Sequence, residues 1–565
     1  MKKVSLSLLC ALCCGVLSAQ TTDSLIRRAI LLEKEYIPTI ENAGKIYQSP
    51  GQESIKTNKE KVVFALSGNP LDVDKELVAL KAAEAKTSFP DQQKHGYLRL
   101  GGGNHLAFLG DGQWNILRKS RQTLDLNLWH RSQDVPSEEA GWNSDNRLQL
   151  NYKLHLGYSQ LEAGLSERFR SWHYYADAPA PGFGQIPDQQ WSSDTRAWIS
   201  MSSKPWDKTV DYAVSLEEHL FRLGKATMPG LPQGPLESES NARGRIAWHF
   251  QEDWTAVMDA QARFLSYADT PYDLDNRLWF EIHPEIEYQW GYWQMSLGAR
   301  LSNGHQLKAA LTASARRDLG EKAAAGIFLD GGERCYSYRE GLLMNPFLSP
   351  DLQIDPDYTP LLMHADLWWR PLENCMFSPE IGFRTTNNLP LFYNVTPAIG
   401  SSGLKQASKL FNIASVDASE FYAALRADVA LYQVCHLNAD IRYHHYHAYR
   451  TQETDVLSDI FAQAGSHLWY KPNWEANLGI ELKTGEHLTL QAEYHWDGGR
   501  YAYTESEDFQ PLDDLHLLSA TCSYKITPQL GTFLSVWNLL NRRTEIWNLY
   551  ASYGITGVAG ISFSF

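Results

Sequence analysis

The sequence alternates. Over 254–264, WTAVMDAQARF, the residues Trp254, Ala256, Met258, Ala260, Ala262 and Phe264 take one set of alternate positions, and Thr255, Asp259, Gln261 and Arg263 take the other. A period of two means a strand with one oily face and one polar face. At 487–497, Leu488, Leu490, Ala492, Tyr494 and Trp496 oppose His487, Thr489, Gln491, Glu493, His495 and Asp497. Phe421, Ala423, Leu425, Ala427 and Val429 oppose Tyr422, Arg426 and Asp428 in the same way, as do Met363, Ala365, Leu367 and Trp369 against His364, Asp366 and Arg370. Almost no helical periodicity lies between such segments. A soluble sandwich rarely needs about twenty strands, many of ~10 or more residues. Aromatic residues also gather at strand ends (SWHYYAD 171–177, ADLWWRP 365–371, YHHYHAY 443–449), where the interfacial girdle of a membrane barrel would sit.

The N-terminus agrees with that reading. Lys2 and Lys3 precede an apolar run to about Leu17 and then Ser18-Ala19, a secretory signal with an expected cut after Ala19. The residues ahead of Cys10, Cys13 and Cys14 do not suit a lipoprotein signal, so lipidation is not expected. No later stretch approaches the ~20 consecutive apolar residues of a spanning helix. An exported chain that still enters a membrane must then do so as a closed barrel, because lipid leaves no backbone group unpaired.

Of 51 Lys and Arg against 66 Asp and Glu, only Lys2 and Lys3 leave with the signal, so the mature charge is 49 − 66 = −17. That balance argues against nucleic acid as a partner. The remaining cysteines, Cys335, Cys375, Cys435 and Cys522, are too scattered for a disulfide scaffold or a metal knuckle and are expected to be free.

Ten short turns recur, near 118–121, 155–158, 204–208, 250–253, 291–292, 318–322, 371–374, 432–436, 484–486 and 526–529. Between them fall connections at 133–145, 176–191, 224–239, 268–276, 338–359, 388–418, 450–466, 498–513 and 542–555, a hairpin at Asn303-Gly304 and a first turn at Gly110-Asp111-Gly112. Short turns face the periplasm in such barrels, and eleven outer connections with both chain ends inside imply about 22 strands. The expectation is an all-β, transmembrane antiparallel β-barrel over 96–565, after a signal peptide at 1–19 and an extended or helical periplasmic segment at 20–95. Gly101-Gly102-Gly103 should weaken or bend the first strand. Ile561, Phe563 and Phe565 should face lipid as the last strand closes on the first.

The tail VWNLLNRRTEIWNLYASYGITGVAGISFSF, Val536 to Phe565, resembles the end of TonB-dependent receptors. The blocks SYREGLLMNPFLSPDLQIDPDY, 337–358, and LEKEYIPTIENAGKI, 32–46, resemble a narrower group, the plugless TonB-dependent-receptor-like barrels of the Bacteroidota. The resemblance implies transport across the outer membrane, contact with its lipids, and a terminal signal (Ile561, Phe563, Phe565) read by the barrel assembly machinery. It departs in one respect: only residues 20–95 precede the first strand, where a receptor of this family carries a plug of over a hundred residues and a TonB box. EKVVFAL, 60–66, reads better as a short strand or a partner-bound segment than as that box.

Candidate lumen-lining residues are Asp259, Gln261, Arg263, Arg426, Asp428, His487, Gln491, Glu493 and His495, whose mixed charges suit a polar solute. His445 and His447 share one strand face and could reach a common metal ion, but without a third ligand they read first as girdle residues. Trp142 and Trp191, in long connections, are candidates for contacting sugars or peptides. Neither GxSxG nor HExxH occurs, and neither an enzyme nor a cofactor is expected. Two functions stay open: a solute transporter, or a non-transporting structural subunit of an outer-membrane assembly or secretion complex, docked to a lipoprotein or periplasmic partner through residues 20–95.

Overall fold

The computed structural model describes residues 95–565 apart from 136–140, 180–187, 205–208, 226–232, 271–273, 305, 351–352, 397–404, 433, 452–459 and 462–464. The expected signal peptide, residues 20–94 and the EKVVFAL segment lie outside the described residues. From Gly96 onward a 22-stranded antiparallel sheet closes on itself as a barrel. Closure is direct: Gly96–Gly103 pairs with Thr556–Ser564, with Tyr97 opposite Ser564 and Leu100 opposite Ile561.

Alternation sorts the two faces. In Trp254–Ala268, Met258, Ala260, Ala262 and Phe264 are exposed on the outward side, while Val257, Arg263 and Leu265 are buried on the other. Leu297, Leu311 and Ile327 are 67%, 66% and 66% exposed on neighbouring strands. A continuous belt of this kind would be an aggregation surface in water and is a fitting surface in hydrocarbon.

The seam explains the chain's end and its glycines. The Phe565 carbonyl accepts from the N–H groups of His95 and Gly96, and its own N–H donates to the Gly96 carbonyl at 3.0 Å. Its ring lies edge-on to Trp114 at 6.5 Å. A Cβ on Gly103 would fall 1.8 Å from the Gly557 carbonyl oxygen. The glycine run therefore permits the close approach of first and last strands, where a bend was expected. Deleting Phe565 removes those backbone bonds and is expected to cut the yield of folded barrel several-fold, read as the heat-modifiable band in cold electrophoresis; an unchanged yield would mean the seam closes without it.

Two sequence expectations are corrected. Gly110-Asp111-Gly112 is no turn: it lies inside Phe108–Lys119, and Gly112 pairs with Leu98. The turn is Asn104–Ala107, where His105 (φ 54°) and Leu106 (φ 48°) take the left-handed conformation that usually asks for glycine. Nor is 388–418 a loop. Cys375–Thr396 runs 22 residues and Gln406–Leu431 runs 26, far more than the ~9–11 that cross a membrane. Their far halves stand beyond the barrel wall and build what lies over the mouth.

Candidate functional site: a charged lumen under a loop cap

The expected lumen residues fall on two separate walls. On one, Asp259 pairs with Arg245 at 3.1 Å, the Gln261 amide donates to Asn241 at 3.1 Å, and Arg263 pairs with Glu239 at 2.7 Å and Glu340 at 3.0 Å. On the other, Arg426 pairs with Asp440 at 3.2 Å, Asp428 with His436 at 3.0 Å, and Gln491 donates to Glu481 at 2.6 Å. His495 joins Asp497 at 3.2 Å and Asn477 at 2.7 Å. Glu493 sits between Gly479 and Ser519 in register. His487 lies in a short turn, its ring bonded to the Lys525 carbonyl at 2.8 Å. The ninth strand, with Arg263, and the sixteenth, with Arg426, are seven strands apart (16 − 9), so no single pocket gathers the set.

His445 and His447 are exposed on the outward side of Cys435–Thr451, and among the described residues no group of three or more potential metal ligands occurs. His444 turns inward and its Nδ1 meets Glu420 at 2.6 Å; Glu420 also holds Arg384. Trp191 stacks on Phe169 at 5.4 Å, and Trp142 is 37% exposed. The four described cysteines are free.

Sequence reasoning missed the cap. Beyond the long-loop end of the strands, Trp172, Tyr174, Phe221, Tyr338, Leu342, Phe347, Leu348, Phe411 and Tyr550 form a buried apolar core contributed by several connections. A second buried core joins Leu391, Val395, Val416, Tyr446, Phe461, Trp469 and Tyr503. Tyr550 stacks on Phe347 at 3.5 Å between centroids and 13° between planes, and meets Tyr175 edge-on at 4.8 Å. Its hydroxyl donates to the Lys409 carbonyl at 2.7 Å.

The topology shows what this core spans. Pro179 follows the fifth strand, Ser159–His173, and its carbonyl accepts the N–H of Lys409, on the sixteenth strand, at 3.0 Å. Sixteen minus five is eleven, half of the 22-strand circumference. The bond therefore reaches from one side of the mouth to the opposite side. The loops that meet there lie over the opening.

The cap is latched to the wall by charge. Ser337 starts the helix Tyr338–Met344 through a capping box, its Oγ accepting from the Glu340 N–H at 3.1 Å while Glu340 accepts from the Ser337 N–H at 3.0 Å. The Glu237 carboxylate, 1% exposed on the eighth strand, accepts the Tyr338 and Arg339 N–H groups at 2.6 and 3.1 Å. Arg339 then pairs with Glu239 at 3.1 Å, and Arg263 donates to the Cys335 carbonyl at 2.5 Å. Buried carboxylates and guanidiniums this closely matched hold position at a desolvation cost; removing one partner is what destabilises. Burial pushes the neighbouring Cys335 thiol up to about 11.

No family model and no curated protein matches the sequence. The fold has solved relatives. The FrpB iron transporter of Neisseria meningitidis superposes with a TM-score of 0.61 at 9% identity, over 84% of this chain and 82% of that one. A variant of the ferric enterobactin receptor of Pseudomonas aeruginosa gives 0.60 at 10% identity, over 83% and 80%. The ferripyoverdine receptor of the outer membrane of Pseudomonas aeruginosa gives 0.58 at 11%, over 84% and 72%. At such identities the likeness establishes a common barrel fold.

Proposed function

We propose that the chain is an outer-membrane barrel that moves a polar solute, related to the TonB-dependent-receptor-like barrels its C-terminal tail resembles, with the short turns toward the periplasm. The observation that carries this reading is the pairing of a lumen rich in ionic side chains with a cap joined to the wall by ion pairs. A wall meant only to fill space would favour apolar packing, since buried ion pairs add little net stability. The relatives that share the fold are named for iron and siderophore traffic, which supports transport without naming this solute. Outward leucine, isoleucine and phenylalanine residues would contact the membrane lipids, and Ile561, Phe563 and Phe565 would be read by the barrel assembly machinery.

The bridged mouth also favours a second reading, a permanently closed structural subunit with residues 20–95 as its docking arm. Proteoliposome swelling separates the two. With Arg339→Met releasing the latch, small sugars are expected to enter liposomes that exclude them when the native chain is present. Exclusion by both would remove transport and leave the structural subunit.

A further inference from the structure

Most inward arginines have matched acids: Arg196 with Glu217 at 2.6 Å, Arg245 with Asp259 and Glu287, Arg263 with Glu239 and Glu340. The fourth and fifth strands, Gly141–Leu156 and Ser159–His173, break that pattern. Arg147 stands directly across from Arg168, and Asp145 directly across from Arg170. Like charges directly opposite on paired strands oppose folding, so such an arrangement needs an anion to sustain it.

Asp145 supplies one charge only. Its Oδ2 accepts from Arg147 at 3.0 Å and Arg168 at 2.8 Å, and its Oδ1 accepts from their Nε atoms at 3.4 and 3.1 Å. Those four bonds fill the carboxylate's acceptor sites, and they use two of the five N–H donors on each arginine. Arg170 makes no ion pair among the described residues, although its strand partner is that aspartate. Arg131 on the third strand, Gln122–Val135, also stands across from Asp145, and Asp194 on the sixth strand, Gln189–Ser203, across from Arg168, is shared with His219 at 2.8 Å and Arg339 at 3.9 Å. Four guanidiniums against two carboxylates leave +2.

We propose that Arg147, Arg168 and Arg170 form a binding site on the inner wall for a dianionic oxyanion, a phosphate- or sulfate-type group carried by the solute. Guanidinium forks bind such groups through paired N–H bonds. The planes are set by aromatic neighbours: Arg147 lies 5.0 Å over Trp129 and Arg170 5.7 Å over Trp172. Arg147 and Arg168 remain 31% and 27% exposed, so a solute in the lumen can reach them. Trp172, on the same strand and in contact with Arg170, belongs to the buried core of the cap, which places the site beside that core. The site deepens the transport reading, but it is tested as binding, so that either can fail alone.

The probe is inorganic pyrophosphate, titrated calorimetrically into the purified mature barrel at constant ionic strength with chloride as the control. One saturable site is expected. Arg170→Gln should weaken it at least tenfold, Arg170→Lys should retain part of it, and Arg245→Gln should leave it unchanged, with each variant verified as folded by heat-modifiability. Absence of saturable binding, or equal affinity in the native chain, Arg170→Gln and Arg168→Gln, would overturn the proposal.

Discussion

Replacing Tyr550 by alanine is expected to speed amide exchange in the cap about a hundredfold while leaving the barrel strands unchanged. Removing a buried aromatic side chain costs about 3–5 kcal/mol. Tyr550 is 1% exposed and loses its stack on Phe347, its edge contact with Tyr175 and its bond to Lys409 together. At ~1.4 kcal/mol per decade, about 3 kcal/mol of local stability is two decades of opening. The reporters are the Phe411 N–H on the Phe347 carbonyl and the Ser349 N–H on the Phe411 carbonyl, both 2.9 Å in the closed cap. Exchange that rises equally in the strands would mean that cap and barrel unfold as one unit.

The second large effect belongs to the latch. Arg339→Met leaves Glu237 and Glu239 buried with less positive charge to meet them, a loss of about 3–5 kcal/mol when one partner of a buried pair is removed. Arg339 is 13% and Glu239 3% exposed, so solvent does little to soften it. The reporter is Cys335, 4% exposed and with its thiol held at about 11 by burial. Because that value is raised, the thiolate is scarce at pH 8 in the closed state. Release returns the group toward an ordinary thiol and raises the thiolate fraction as well as the access. Alkylation at Cys335, followed by peptide mass, should therefore accelerate by about tenfold or more. Equal labelling in native and Arg339→Met protein would show that the helix Tyr338–Met344 is held without the Arg339–Glu239 pair.

The barrel was legible because its rule is local. Period-two patterning in segments such as 254–264 sets the faces of a strand without reference to any other, and short turns count the hairpins. The first hairpin was misread because Gly110 and Gly112 look like turn residues, whereas His105 and Leu106 take the left-handed backbone that glycine usually supplies. The far halves of Cys375–Thr396 and Gln406–Leu431 were read as loop because proline, asparagine and glycine punctuate 387–403. There the buried Leu391, Val395 and Val416 answer to the cap and not to lipid. The cap itself has no local signature. Tyr175 and the Ala551 carbonyl that accepts its hydroxyl at 2.7 Å are 376 positions apart. Ser337 and Glu340, three apart, were the one part of it open to local reading, as a capping box.

The lumen residues show a similar limit. Alternation marks Arg263 and Arg426 as inward-facing, yet it cannot say that Arg263 is engaged by Glu340 from a distant connection as well as by Glu239 on the next strand, while Arg426 meets only the next strand. Nor does it mark Arg147, Arg168 and Arg170 as a group, because the like-charge pairing exists only once the register of two strands is known.

The central claim is that the chain's own loops close the mouth, and single-channel conductance in planar bilayers tests it most directly. The chain lacking residues 20–93 should stay closed, and the same chain with 542–553 of the connection that carries Tyr550 also removed should conduct in large steps. Conduction on removal of residues 20–93 alone would contradict the account, because the loops would then not seal the barrel.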